Sequence, residues 1–151
     1  MTTEIRLAQT KDITALVELE NSLFSSDKLS KAQFYYHIRS LKNKLFIAHD
    51  HQQIIGYILL FTHRHSARIY SLAVSTEHQG KGIAYELIMY TINHLDTNIK
   101  NLFLEVNINN LRAIHLYQRL GFIIGKTLHH YYHNGDSAYR MKKYLLKLRQ
   151  N

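Results

Sequence analysis

The sequence predicts a single α/β domain, a three-layer sandwich in which helices cover both faces of a mixed, mostly antiparallel sheet. Three observations carry that prediction. Segments with strand and helix character follow the order β-α-α-β-β-β-α-β-α-β-β along 151 residues, a length that suits one domain. The three central strand segments are divided by short polar turns, as in an antiparallel meander. Most of the helical segments carry apolar residues at helical spacing, which gives each a face to bury. No internal repeat, linker or low-complexity tract divides the chain 1–151.

The elements follow in order. EIRLA (4–8) is a short strand. Thr10 is placed to N-cap a helix through KDITALVELENSLF, in which Ile13, Leu16, Val17 and Phe24 share a face that Glu20 interrupts. SKAQ (30–33) has capping-box spacing and opens a second helix to about Ser40. KLFIAHD (44–50), IIGYILLFTHRH (54–65) and ARIYSLAVS (67–75) form the meander, with HQQ as the first turn. GIAYELIMYTINHLD (82–96) is a helix with Ala84, Leu87, Ile88, Thr91 and Leu95 on one face. LFLEVN (102–107) is a strand, and NNLRAIHLYQRLG (109–121) a helix with an Asn N-cap and Gly121 as its stop. FIIGKTLHHYY (122–132) and SAYRMKKYLL (137–146) close the domain around an HNGD turn. The chain has no proline, so its turns rest on Gly, Asn, Asp and Ser.

Composition narrows the function classes. Without cysteine there are no disulfides, thiolate metal sites or cysteine nucleophile, which fits a reducing cytoplasm. No apolar run reaches about 18 residues, so no membrane span is expected. The N-terminus is polar where a signal peptide has an apolar core. Lys and Arg exceed Asp and Glu by 19 − 11 = 8. That excess either makes a basic, soluble surface or attracts polyanions such as an acidic protein surface or a phosphorylated cofactor. The positive charges are scattered and no nucleic-acid motif accompanies them, so a nucleic-acid partner is not expected. Eleven histidines are present, yet no H-E-x-x-H or comparable ligand set appears, and no metal is expected. His63 and His65 alternate onto one face of a strand end; His129, His130 and His133 flank the closing hairpin.

Three places suggest chemistry. Between the strand ending near Val74 and the helix beginning near Gly82 lies QGKGIA (79–84). Glycines there let a backbone approach a ligand closely, and a helix N-terminus offers unpaired amides to an anion. The spacing is neither a P-loop nor a dinucleotide fingerprint, so a glycine turn that only redirects the chain is the competing reading. In LFLEVN, Leu102, Leu104 and Val106 point to one face and Phe103, Glu105 and Asn107 to the other. Glu105 is then either at a solvated strand end, in a structural ion pair, or in a site. Tyr117 shares a helix register with Ala113, Ile114 and Leu120 and reads by position as a core tyrosine.

These residues carry a family resemblance. Gln79-x-x-Gly82-x-Ala84 after Leu72-Ala73-Val74 resembles the Q/R-x-x-G-x-G/A signature of the GNAT superfamily of N-acetyltransferases, whose acyl-CoA N-acyltransferase fold has this element order. LEVNINNLRAIHLYQRLGF and YYHNGDSAYRM are similar to the L-E-V-R-x-x-N-x-x-A-I-x-L-Y-x-x-L-G-F run and the closing hairpin of the ribosomal-protein alanine N-acetyltransferase branch. The resemblance implies that amides of Gln79, Gly80, Lys81, Gly82, Ile83, Ala84 and Tyr85 hold the pyrophosphate of acetyl-coenzyme A. Leu72, Ala73 and Val74 would pair through their backbone with its pantetheine arm, beside a bulge that splays the strand from its neighbour and aims an amide near Val74 at the thioester carbonyl. Asn110 would contact the arm or cap its helix, or both. Glu105 would be the general base toward the incoming amine, and Tyr117 would protonate the leaving thiolate. Tyr131 and Tyr132, one on each sheet face, would either line the peptide groove or simply pack. The reaction implied is direct attack of a primary amine on the thioester, with no metal.

The chain departs from that branch in two places. LFSSDKLSKAQF is longer and more polar than the branch's F-P-W-S segment, and Asn107 replaces the arginine of L-E-V-R. A protein N-terminus is the expected acceptor, with lysine, a small amine, or a non-catalytic acetyl-coenzyme A sensor as alternatives.

Overall fold

The computed structural model describes residues 3–51 and 53–145. Its strands are β1 (Glu4–Leu7), β2 (Asn43–His49), β3 (Ile54–His63), β4 (Ser66–Val74), β5 (Asn101–Asn107), β6 (Ile123–Leu128) and β7 (Ala138–Tyr144). Its α-helices are α1 (Ile13–Leu23), α2 (Lys31–Arg39), α3 (Ile83–His94) and α4 (Leu111–Arg119). The seven strands form one sheet in the order β1-β2-β3-β4-β5-β7-β6. Every neighbouring pair is antiparallel except β4 with β5. The parallel pair needs a crossover, and α3 supplies it. Of the expected turn and last strand, Gln52 and Leu146 lie outside the described residues.

Strand alternation divides the core into two layers. On the back face, Ile58, Leu60, Ile69, Leu102, Leu104 and Val106 pack against Leu87, Ile88 and Ile92 of α3 and Ile114 and Tyr117 of α4. On the front face, Leu45, Ile47, Tyr57, Leu59 and Ala73 pack against Ile13, Leu16 and Leu19 of α1 and Phe34 of α2. No residue of β5 or β7 belongs to this front cluster among the described residues. The front of the last strands is therefore left without a helix over it, and that opening positions the site.

Local chemistry explains most boundaries. The capping box at the start of α2 is present: Gln33 N–H donates to Ser30 Oγ at 3.1 Å and Ser30 N–H to Gln33 Oε1 at 2.8 Å. Thr91, on the apolar face of α3, is fully buried because its hydroxyl donates to Leu87 O at 2.9 Å. The start of α1 differs from expectation. Thr10 opens a 3-10 turn whose cap is Gln9, and Gln9 N–H donates to Asp12 Oδ2 at 2.7 Å. Arg6 clasps both oxygens of Asp12 at 2.8 and 2.9 Å. Burial pushes the Asp12 carboxyl upward, but Arg6 and the Gln9 amide outweigh it and hold it below the usual carboxylate range. Phe24 lies one residue past α1 in extended backbone and is exposed, so Leu19 fills the face instead.

The closing hairpin also differs. β6 ends at Leu128, and His130 has φ of 53°. A left-handed residue breaks the strand pleat. Tyr131 and Tyr132 therefore sit together in the connection, ring centroids 5.1 Å apart and nearly perpendicular, rather than on opposite sheet faces. His63 ends β3, whereas His65 lies beyond Arg64 (φ 56°) in the hairpin turn, so the two do not share a strand face.

Candidate active site

β4 pairs with β5 only through Ser66–Arg68 against Asn101–Phe103. Beyond Arg68 the strands part. The cause lies in the β3–β4 register, where Leu59 faces Ser71 but Leu60 faces Ile69, leaving Tyr70 as an extra residue in β4. Such a bulge bends and over-twists the strand that carries it. The edge of β4 from Ile69 to Val74 that faces away from β3 is thus unpaired by β5.

Behind the open edge is a cavity of about 530 Å³. It is lined by Leu72 and Val74 of β4, by Gln79, Gly80, Gly82, Ile83, Ala84 and Tyr85, and by Asn110 and Tyr117 from α4. These are expected site residues from three separate stretches, brought to one place. Two of the expected cofactor-binding residues do not line it: Lys81 is exposed, and the Ala73 side chain packs into the front core. Leu72 and Val74 face back while Ala73 faces front, as alternation demands.

Gly80 and Gly82 have φ of 80° and 83°, a region that favours glycine. A methyl group on Gly82 would meet nothing within 4 Å, so the space before it is open. Gly82 is the N-cap of α3 and has no side chain to offer, so no side-chain cap claims the first amides of the helix. Gln79 Nε2 donates to Val74 O at 3.0 Å and ties the loop back to β4. Asn110 Oδ1 accepts from Ala113 N–H at 3.2 Å, so the N-cap role is filled. Sequence reasoning missed Arg112, His115 and Arg119, which also line the cavity. Their i, i+3, i+7 spacing along α4 was the available signal. Arg112 and Arg119 put positive charge beside a loop built to receive an anion.

Tyr117 is buried, and its phenol is pushed up to about 12 by desolvation and by Tyr132 nearby. Its hydroxyl makes no hydrogen bond within the protein among the described residues. A buried phenol without a partner, an unpaired strand edge and an open glycine cradle are what an extended, anionic thioester cofactor would fill. The residues fit acetyl-coenzyme A.

On the front face Glu105 is held by two arginines. Oε1 accepts from Arg68 Nε at 2.8 Å and lies 2.7 Å from Arg68 Nη2; Oε2 accepts from Arg140 Nε at 2.8 Å. The Glu105 side chain is only 4% exposed. Two arginine side chains thus flank its carboxylate. Arg68 Nη2 also donates to Tyr131 Oη at 3.2 Å. Tyr132 is close enough to both Tyr117 and Glu105 for each pair to interact electrostatically, which links the back cavity to the front face. Asn107, where the related branch has arginine, donates to Asp136 Oδ2 at 2.9 Å and fixes the loop that carries the two tyrosines.

A larger depression of about 870 Å³ lies between α1 and the β2–β3 turn. In it Arg6 pairs with Asp12 at 2.8 Å and His78 Nε2 lies 3.9 Å from Asp50 Oδ2, and no expected site residue lines it. Among the described residues no three His, Asp or Glu side chains gather as they would around a metal ion.

Comparison with known proteins agrees with this geometry. The model of the acetyltransferase (GNAT) family matches residues 13–122. An N-alpha-acetyltransferase of Sulfurisphaera tokodaii is 28% identical, covering 91% of this chain and 90% of its own. An uncharacterized N-acetyltransferase of Methanocaldococcus jannaschii is 31% identical over 92% of this chain and 90% of its own. In fold, the crystal structure of the ribosomal-protein-S18-alanine N-acetyltransferase from Escherichia coli superposes with a TM-score of 0.87, at 22% identity, over 99% of this chain and 98% of that one. With a family match over most of its length and a cleft suited to the family's thioester, this chain belongs to the GNAT family of acetyltransferases.

Proposed function

We propose that the protein transfers the acetyl group of acetyl-coenzyme A to the α-amine of a polypeptide N-terminus by direct attack. The observation that carries this choice of acceptor is the pair of arginines on Glu105. A carboxylate offers about four acceptor positions, and Arg68 and Arg140 take three, leaving one direction for an amine or a bridging water. That is modest help. An α-ammonium needs no more, because with a pKa of about 7.7–8.0 roughly a third of it is already neutral at pH 7.5. A lysine side chain, at about 10.4, is only about 0.1% neutral there and needs a stronger base. A polyamine is disfavoured for another reason: Arg68, Arg140 and Lys142 share the front of β4, β5 and β7 with one carboxylate, so a polycation meets repulsion. Relatives named N-alpha-acetyltransferase support the same reading.

The bound cofactor supplies an acetyl group activated as a thioester. In the proposed roles, the cradle amides from Gln79 to Tyr85 and the cations of α4 hold its phosphates. The open edge of β4 orients its arm and presents an amide near Val74 to the carbonyl oxygen, with Asn110 beside it. Glu105 orients the amine and receives its proton through the remaining direction on the carboxylate. Tyr117, protonated throughout the physiological range, donates to the departing sulfur.

The deciding experiment measures thiol release from acetyl-coenzyme A over peptides with different first residues, lysine peptides blocked at the N-terminus, and polyamines. Turnover on free N-termini with little on lysine or polyamine is expected. A polyamine or blocked lysine peptide as best substrate would overturn the acceptor, and cofactor binding without turnover on any amine would overturn catalysis.

A further inference from the structure

Glu20 interrupts the apolar face of α1 and is 2% exposed, a costly place for a carboxylate. Nothing in the reaction above uses it. Its two oxygens reach different elements of the fold. Oε2 accepts from Leu29 N–H at 2.8 Å, in the α1–α2 connection. Oε1 accepts from Tyr57 O–H at 2.6 Å, and Tyr57 Oη lies 2.8 Å from Ser71 Oγ. Ser71 directly follows the bulged residue Tyr70. Burial and the Glu20 contact hold the Tyr57 phenol far above its ordinary range, so it remains a donor to Glu20 and receives from Ser71. The edge of Phe34 packs against the Tyr57 ring at 5.7 Å and leaves it little freedom.

We propose that Glu20 is a positioning residue that acts through Tyr57 and Ser71 to set the bulge in β4 while it fixes the α1–α2 connection through Leu29. The β4 edge proposed to face the thioester and the α1–α2 connection are then held by one buried carboxylate. Loss of the Tyr57 hydroxyl leaves a buried Glu20 oxygen without its donor, and loss of Ser71 removes the donor that orients the Tyr57 hydroxyl, so the perturbation passes along the chain of bonds. The proposal rests on the acetyl-transfer reading for its effect on rate, but the coupling itself is a property of the fold.

Three variants test it: Glu20→Gln, Tyr57→Phe and Ser71→Ala. Tyr57→Phe and Ser71→Ala should each lower kcat about 10- to 100-fold with the KM for acetyl-coenzyme A changed by less than about twofold, and the double variant should be no worse than the worse single one. Independent losses that multiply would overturn the relay. Amide exchange supplies a readout that needs no activity. Tyr57→Phe and Ser71→Ala, neither of which touches Leu29, should speed exchange at Leu29; Glu20→Gln should speed it at Ser71 and Leu72. Changes confined to the mutated end, or a uniform rise across α1 and β2 from general loss of stability, would sink the proposal. If the wild-type protein turns over no amine, the acetyl-transfer reading fails and the exchange data still decide the coupling. If Glu20→Gln does not fold, Ser71→Ala, at a partly exposed hydroxyl, carries the test.

Discussion

Glu105 is clasped by Arg68 and Arg140, which strand pairing brings to it from β4 and β7. Alternation placed Glu105 opposite Leu104 and Val106, and the structure puts it there. Its partners, 37 and 35 residues away in the chain, left no local signal because they meet it only through strand pairing. Glu105→Gln keeps the shape but gives Arg68 and Arg140 an amide in place of an anion. Turnover should fall about 10- to 100-fold, with coenzyme A affinity changed little; steady-state rates with calorimetric titration check this, and unchanged turnover would remove Glu105 from the mechanism. Tyr117→Phe should slow thiol release about 10-fold without abolishing it. Because burial raises the Tyr117 phenol to about 12, no loss of rate from its ionisation should appear below that pH. The same shift adds stability that is full below about pH 10, where the unfolded phenol ionises, and is lost as pH rises toward 12. A Tyr117→Phe variant should lack that alkaline loss in a denaturation series.

At the scale of elements, what was legible was local. Ser30 and Gln33 announced the start of α2 because a capping box is written in four adjacent residues. The β4 bulge was expected only by family likeness; no residue in IYSLAV announces it, since a bulge is a mismatch between two strands. The β6 boundary was misjudged because His130 takes a backbone conformation its residue type seldom signals. Gly82→Glu should abolish coenzyme A binding, by at least about 100-fold in Kd, since the side chain would place an anion in the cradle. Retained affinity in a folded variant would displace the cofactor from that loop. Near α1, Asp12→Asn should cost about 2 kcal/mol at neutral pH. The depressed Asp12 carboxyl contributes stability present above about pH 4 and lost as pH falls through its folded value, so wild type and variant should converge in acid.

For the molecule as a whole, the order of elements, the layers and the mixed sheet were readable because periodicity reports which face each element buries. The joint at which β4 and β5 separate was expected only from the family resemblance, since it depends on where hydrogen bonding stops. A ligand that bridges this gap should raise the stability of the whole fold. At a free concentration of 100 times Kd the gain is about 2.7 kcal/mol, which for a chain of this size moves the melting midpoint by about 5–10 °C. Thermal scans with coenzyme A should show that rise in the wild type and none in Gly82→Glu.

The parted strands also act as a window through the sheet. The cavity opens among α3 and α4 on one side, while Glu105 and its arginines stand on the other. Donor and acceptor would then come in by separate doors and meet at the sill, so neither need leave before the other enters. Initial-rate plots should give intersecting lines rather than parallel ones. Because the front door is an open face rather than a tunnel, the bulk behind an accepted N-terminus should matter little: a folded protein with a short free tail should be served nearly as well as a peptide.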